Sequence, residues 1–298
     1  MNTTPTATID RPAWLTEDAW PWPVSALTTP DGPIAYTDTG GNGPVVLLVH
    51  AGMWSFVWRD LMLDLAVDHR CITIDAPGNG LSTRSDASGV TLSAASHAVG
   101  AVVDALDLRD LTLVFHDLGG SAAVAAMGAR ADRVAALVAV NTFAWTPDTR
   151  LLKFGLSFMG GAPMRELDAA TGFFAAASST RFGVGRHWDA ETRAVFRHGV
   201  DRRSVHRYFA DARRAADVTG AADAALRGPF AERPLLTVFG RRNDYFGFQP
   251  RWLERFPGAR QEQVDGGNHF PMCDDPAAVA GWMRRLTRRR DAGSGEPV

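Results

Sequence analysis

The sequence predicts an α/β architecture: a mostly parallel central sheet flanked by helices, with a helical cap inserted between two strands. Continuous apolar runs of strand length recur along the chain, helical periodicity fills most gaps between them, and one long late stretch carries no strand signal. With 298 residues the chain can bury a large core and still carry an insertion.

Taken in order, Trp14, Trp20 and Trp22 interleave with Pro21 and Pro23, which suits an extended arm laid on the body by its rings. "IAYTDTG" then reads as an edge strand. "PVVLLVH", residues 44–50, is apolar almost throughout, as a parallel strand covered on both faces must be. "RCITIDAPG", "LTLVFHD", "VAALVAVNTF" and "PLLTVFG" repeat that signal, and residues 259–264 supply a last strand. Helical patterns lie at 92–106, 121–129 and 276–288. From 144 to 231 the chain is rich in Ala, Arg, Phe and Gly at helical spacing. Residues 1–143 and 232–298 are therefore expected to form the core, and 144–231 the cap. The tail "DAGSGEPV" has the composition of a disordered end, and no internal repeat is seen.

Composition narrows the function classes. A net charge of −2 gives no reason to expect nucleic acid as a partner. Lys153 is the only lysine, and the cluster Arg284, Arg285, Arg288, Arg289 and Arg290 reads as a solvated helix end. Cys71 and Cys273 have neither metal-site nor disulfide spacing, and Cys71 is expected as a buried thiol. Residues 1–10 are polar without a basic start, and no later run is apolar enough to span a membrane, so a cytoplasmic location is the expectation.

The chemistry-bearing segment is "LTLVFHDLGGSAAVAAM". A buried strand runs into His116, Asp117, Leu118, Gly119 and Gly120, and a helix of small residues follows at once. A nucleophile elbow needs this order, because the tight strand-to-helix turn exposes one side chain and small neighbours let it close. A carboxylate presented there can displace a leaving group from carbon and form an ester that activated water hydrolyses. The plainer alternative makes Asp117 a helix N-cap.

Candidates for an acid and a base follow in the matching chain order. "LLTVFGRRNDYF" offers Asp244 after the strand beyond the cap, and "VDGGNHFPMCDDP" offers His269. Asp265 and Asp274 are rival acids, but lie too near His269 in sequence to reach its far nitrogen easily. The amide of Leu118 is one candidate donor to developing negative charge, and Met53 beside Gly52 is the other. His116 is expected to orient the turn beside the pocket. "DAPGNGLS" is a glycine-punctuated loop without phosphate-binding spacing, expected to buttress the site. No cofactor and no metal are implied, since water and side chains suffice.

With these residues in view, the chain resembles the haloalkane dehalogenases and neighbouring epoxide hydrolases of the α/β-hydrolase superfamily. "WPWPVSALTTPDGPIAYTDTG", "WSFVWRDLM", "DAPGNGLS", "LVFHDLGG", "VNTFAW" and "VDGGNHFP" carry the likeness over nearly the whole length. It implies the α/β-hydrolase fold, Asp117 as attacking carboxylate, Asp244 as acid and His269 as base. It also implies a small apolar substrate cleaved at a carbon–halogen bond. Such dehalogenases usually place a tryptophan after the nucleophile to hold the halide, where this chain has Leu118; Trp54, Trp58, Trp145 or Trp188 would have to replace that N–H. Asn243 stands where the family spacing from Gly240 puts the acid, so either residue can face His269. Epoxide hydrolysis on the same triad is the alternative, with Tyr208 as the one cap tyrosine to assist ring opening. His116, Trp145, Trp188 and Tyr208 are thus expected at the pocket. A noncatalytic fold that binds an apolar ligand is the third reading. Nothing in the sequence sets the oligomeric state.

Overall fold

The computed structural model of the chain describes residues 7–82 and 89–293, with side chains as far as residue 288. Most of the tail "DAGSGEPV" and the side chains of Arg289 and Arg290 lie outside the described residues.

Nine strands form one sheet in the order β1-β2-β3-β5-β4-β6-β7-β8-β9. They are β1 (Ala7–Thr8), β2 (Val24–Thr29), β3 (Gly32–Asp38), β4 (Val45–His50), β5 (Arg70–Ile74), β6 (Leu111–Asp117), β7 (Val134–Thr142), β8 (Leu235–Gly240) and β9 (Arg260–Val264). The first three pair antiparallel and β3 meets β5 antiparallel, whereas β4 to β9 run parallel to one another. Strand periodicity sorts the apolar side chains into two cores. Leu47, Val49, Leu113, Phe115, Leu137 and Ala139 face one way, against helices Leu92–Ala105, Gly119–Gly128 and Ala216–Arg227. Val46, Leu48, Val114, Val138 and Val140 face the other, against Arg59–Leu65 and Pro276–Gly293. The continuous apolar runs therefore mark strands buried on both faces, each fully buried aliphatic side chain stabilising by about 2 kcal/mol.

The N-terminal arm packs as its tryptophans suggest. Trp20 is buried and donates through its indole N–H to Thr37 Oγ1 at 3.1 Å. Both cysteines are buried and free. Arg284 is not simply solvated: it pairs with Asp68 at 2.8 Å and is the main reason that the Asp68 carboxyl falls to about 2. Among the described residues no helix is long and apolar enough to cross a membrane.

Between β7 and β8 the chain is helical, with Arg150–Met159, Ala162–Thr171, Phe173–Ser178, Ala190–Gly199, Ser204–Ala212 and Ala216–Arg227. The last of these packs into the first core through Val218, Ala222 and Leu226, so it flanks the sheet. Two of the others are joined through a buried pair, His206 Nε2 with Asp168 Oδ2 at 3.1 Å, while His206 Nδ1 donates to Met159 O at 2.6 Å. The "DAPGNGLS" loop ties this helical insertion to the core. Tyr208 donates to Pro77 O at 2.8 Å, and Gly80 N–H donates to Gly199 O at 2.9 Å. Asp75 braces the loop from below, accepting from Ser55 N–H and Leu81 N–H, although burial pushes its carboxyl above the ordinary range.

In the sheet β5 lies on one side of β4 and β6 on the other. The loops leaving β4 and β6 therefore diverge at their carboxyl ends, which is where open α/β sheets form a crevice.

Candidate active site

β6 ends at Asp117 in a left-handed backbone conformation, φ +49°. An L-residue adopts this at a cost of order 1 kcal/mol, and Asp tolerates it better than most. The turn closes because its next residues are small: a Cβ on Gly119 would sit 2.8 Å from His50 Cα, and one on Gly120 would overlap Thr142 Oγ1. That same Thr142 hydroxyl donates to Asp117 O at 2.6 Å, fixing the bend against β7. The Asp117 side chain is 21% exposed and points away from its helix, whose first turn has no side-chain cap. The N-cap alternative therefore does not hold. Leu118 begins this helix, where amides lack intrahelical partners, and the residue lines the cavities beside Asp117.

His269 lies on the loop after β9, with Nε2 3.6 Å from Asp117 Oδ2. His116 pins that loop from beneath, donating from Nε2 to His269 O at 2.7 Å. Burial, with His269 nearby, pushes the His116 imidazole well below its ordinary range, so the ring is neutral. Asp274 supports the same loop by accepting from Asn268 N–H at 2.6 Å and pairing with Arg186 at 2.8 Å. Asp265 pairs with Arg241 and is 84% exposed, so neither rival acid meets the imidazole.

The group at His269 Nδ1 is Asn243, whose Oδ1 lies at 2.9 Å. A network fixes which way this amide points. Gly240 N–H donates to Asn141 Oδ1 at 3.0 Å, so Asn141 Nδ2 faces outward and donates to Asn243 Oδ1 at 3.0 Å and to Asn268 O at 3.2 Å. Asn243 Oδ1 is then an acceptor and His269 Nδ1 carries the hydrogen. In the neutral ring Nε2 is then bare toward Asp117, and a separation of 3.6 Å suits two acceptors, which do not hydrogen-bond.

Asp244 requires correction. Its carboxylate accepts from Phe248 N–H at 2.7 Å and Gln249 N–H at 2.9 Å, capping helix Phe248–Arg255. Three residues separate it from the helix, enough for the side chain to fold over the first turn, and Asn243 takes the place beside the imidazole.

The expected aromatic donors also lie elsewhere. Trp54 donates to Phe196 O at 3.0 Å, joining insertion to core. Trp188 donates to Asp60 Oδ2 at 2.7 Å on a separate surface cleft. Trp145 is buried against Trp252, with Arg255 over its ring at 4.2 Å. Trp58 is fully buried, edge-on to His116. Tyr208 is buried on the "DAPGNGLS" loop, not facing Asp117, and His116 lies beneath the base loop, off the cavity wall. Trp54, Trp188, Tyr208 and His116 turn a polar tip to a partner other than Asp117, while the indole N–H groups of Trp58 and Trp145 are buried without a hydrogen-bond partner and neither ring lines the cavities beside Asp117. Gly52, with φ +99°, and Met53 do line the cavity, but the Met53 amide points to His50 Nδ1 at 3.3 Å, which removes it as the second donor. Burial holds His50 neutral, its imidazole lowered to about 3.

Asp117 and His269 border two apolar cavities of about 370 and 250 Å³. Phe174, Val205 and Phe270 line the first, and Leu152, Leu156 and Phe248 the second. The residues that sequence reasoning missed are Asn141 and Phe209. Asn141 sits at a strand end with φ +36°, inside the quoted "VNTFAW", and Phe209 follows Val205 at helical spacing. Among the described residues no group of three His, Cys, Asp or Glu side chains could hold a metal ion.

Comparison with known proteins gives the context. Residues 46–282 match the Alpha/beta hydrolase family. A haloalkane dehalogenase 2 of Mycobacterium bovis is 28% identical over 256 residues, covering 84% of this chain and 89% of that protein. A cis-3-alkyl-4-alkyloxetan-2-one decarboxylase of Shewanella oneidensis is 27% identical over 259 residues, covering 80% of each. The crystal structure of haloalkane dehalogenase DbeA from Bradyrhizobium elkani superposes with a TM-score of 0.71 at 22% identity, covering 86% of this chain and 96% of that one.

Proposed function

The chain belongs to the alpha/beta hydrolase family, and from that premise we propose that it cleaves a small apolar electrophile through a covalent ester on Asp117. The observation that carries this reading is the carboxylate at the elbow, 3.6 Å from the bare nitrogen of His269 and open to apolar cavities. An Asp117 oxygen attacks the substrate carbon, and the bond to the leaving group breaks with its electron pair going to that group. His269 Nε2 then takes a proton from water, and the hydroxide adds to the ester carbonyl carbon of Asp117. The tetrahedral species expels the product alkoxide, which recovers the proton from His269. The Leu118 N–H is the donor proposed to stabilise the negative oxygen of that species. Asn243, held by Asn141, keeps His269 in the tautomer this requires.

A carbon–halogen bond is the substrate bond that the mycobacterial relative suggests. One observation favours a second leaving group. The indole N–H groups of Trp54 and Trp188 are bonded elsewhere, Trp58 and Trp145 line neither cavity, and Leu118 has no side-chain donor, so halide departure lacks the usual help. Loss of one such donor costs on the order of a hundredfold in rate. A strained ring, either an epoxide or an oxetan-2-one of the kind named for the Shewanella relative, keeps its leaving oxygen tethered and gains from release of strain.

The test is to incubate the His269→Gln variant with haloalkanes, epoxides and oxetanones and measure intact mass. The expected result is a mass gain on the Asp117 peptide equal to the bound substrate, less any group expelled, and no gain in His269→Gln combined with Asp117→Asn. Absence of label across the panel, or label on another residue, contradicts the mechanism and returns the chain to a ligand-binding role.

A further inference from the structure

The two cavities share four residues: Asp117, Leu118, Phe209 and His269. These form a waist, with one apolar lobe on each side of the reacting carboxylate. We infer that the substrate carries its reacting carbon between two apolar arms, one for each lobe, rather than at the end of a single chain. This rests on the reading of Asp117 as nucleophile, because that residue fixes where the reacting carbon lies.

The lobes are comparable in kind and size, about 370 and 250 Å³, and both have mostly apolar walls. A one-armed molecule with its end at Asp117 fills one lobe and leaves the other wetted. A two-armed molecule of the same carbon number removes apolar surface from water on both sides. Each pair of methylenes moved into an unfilled lobe tightens binding by roughly tenfold. The helical insertion supplies much of both lobes, Phe174 and Val205 to one and Leu152 and Leu156 to the other, so that segment sets the permitted arm lengths.

Each lobe can be narrowed from a tolerant position. A Cβ at Gly155, in the second lobe, meets nothing nearer than Phe246 Cζ at 3.8 Å. Ala177, in the first lobe, is an exposed helical residue. The experiment measures by calorimetry the affinities of a symmetrical dialkyl ketone and its methyl ketone isomer, neither of which has a group to expel. The symmetrical isomer should bind roughly tenfold tighter, and Gly155→Leu and Ala177→Phe should each shrink that ratio toward one. Equal affinity of the isomers, or a ratio that neither variant changes, overturns the inference. Ester trapping on Asp117 is scored separately. Trapping without isomer preference sinks the two-armed substrate and leaves Asp117 as nucleophile, while isomer preference without trapping sinks the catalytic role of Asp117 and leaves only a two-armed ligand with no reacting carbon.

Discussion

Asp117 ends β6 and Asp244 follows β8, each ahead of a helix, yet the fold uses them in opposite ways. Asp117 is followed by a helix that begins within two residues, and its positive φ turns the carboxylate outward toward His269. Asp244 has a longer turn ahead of it, so its carboxylate folds back and satisfies the amides of Phe248 and Gln249. The spacing between an aspartate and the helix after it, together with the sign of its φ, separates a presented carboxylate from a cap. Residue type and chain order alone do not.

The comparison sharpens most at Asn243, which occupies the place proposed for an acid beside His269. Asn243→Asp puts a negative charge at His269 Nδ1, and that charge favours the protonated imidazole formed during water attack. Ester hydrolysis should rise by roughly tenfold. Because the base must start neutral, favouring its protonated form moves the acid limb of the pH–rate profile to higher pH. A profile and rate unchanged from the parent would mean that Asn243 does not contact the working imidazole.

A smaller effect is expected at the cap. Asp244→Ala removes the acceptor for two first-turn amides and should lower stability by about 1 kcal/mol, read as a shift in urea midpoint. Ester formation and hydrolysis should stay near parental rates, because the carboxylate has no contact with His269. A loss of turnover by orders of magnitude at intact stability would instead restore Asp244 as the catalytic acid.

What the sequence made legible follows from where backbone physics leaves little choice. The continuous apolar runs had to be strands covered on both faces, and "HDLGG" had to be a tight bend, since Gly119 and Gly120 have no room for a Cβ. The meeting of Asp117 with His269 from a later loop was legible as well. Side-chain direction was not legible. Trp54, Trp145, Trp188 and Tyr208 are each large and amphipathic, and which way such a side chain turns its polar tip depends on partners distant in sequence, such as Phe196 O and Pro77 O. Asn141 escaped notice because an amide at a strand end has no distinctive pattern. Its role arises only where β7, β8 and the base loop meet.

The most direct measurement follows heavy-oxygen water through a single turnover with enzyme in excess. If a carboxylate ester forms and water attacks its carbonyl carbon, the Asp117 peptide becomes heavier while the first-turnover product carries the protein's own oxygen. Heavy oxygen found in that product, with the Asp117 peptide unchanged, would mean that water attacks the substrate directly and that Asp117 forms no bond to it.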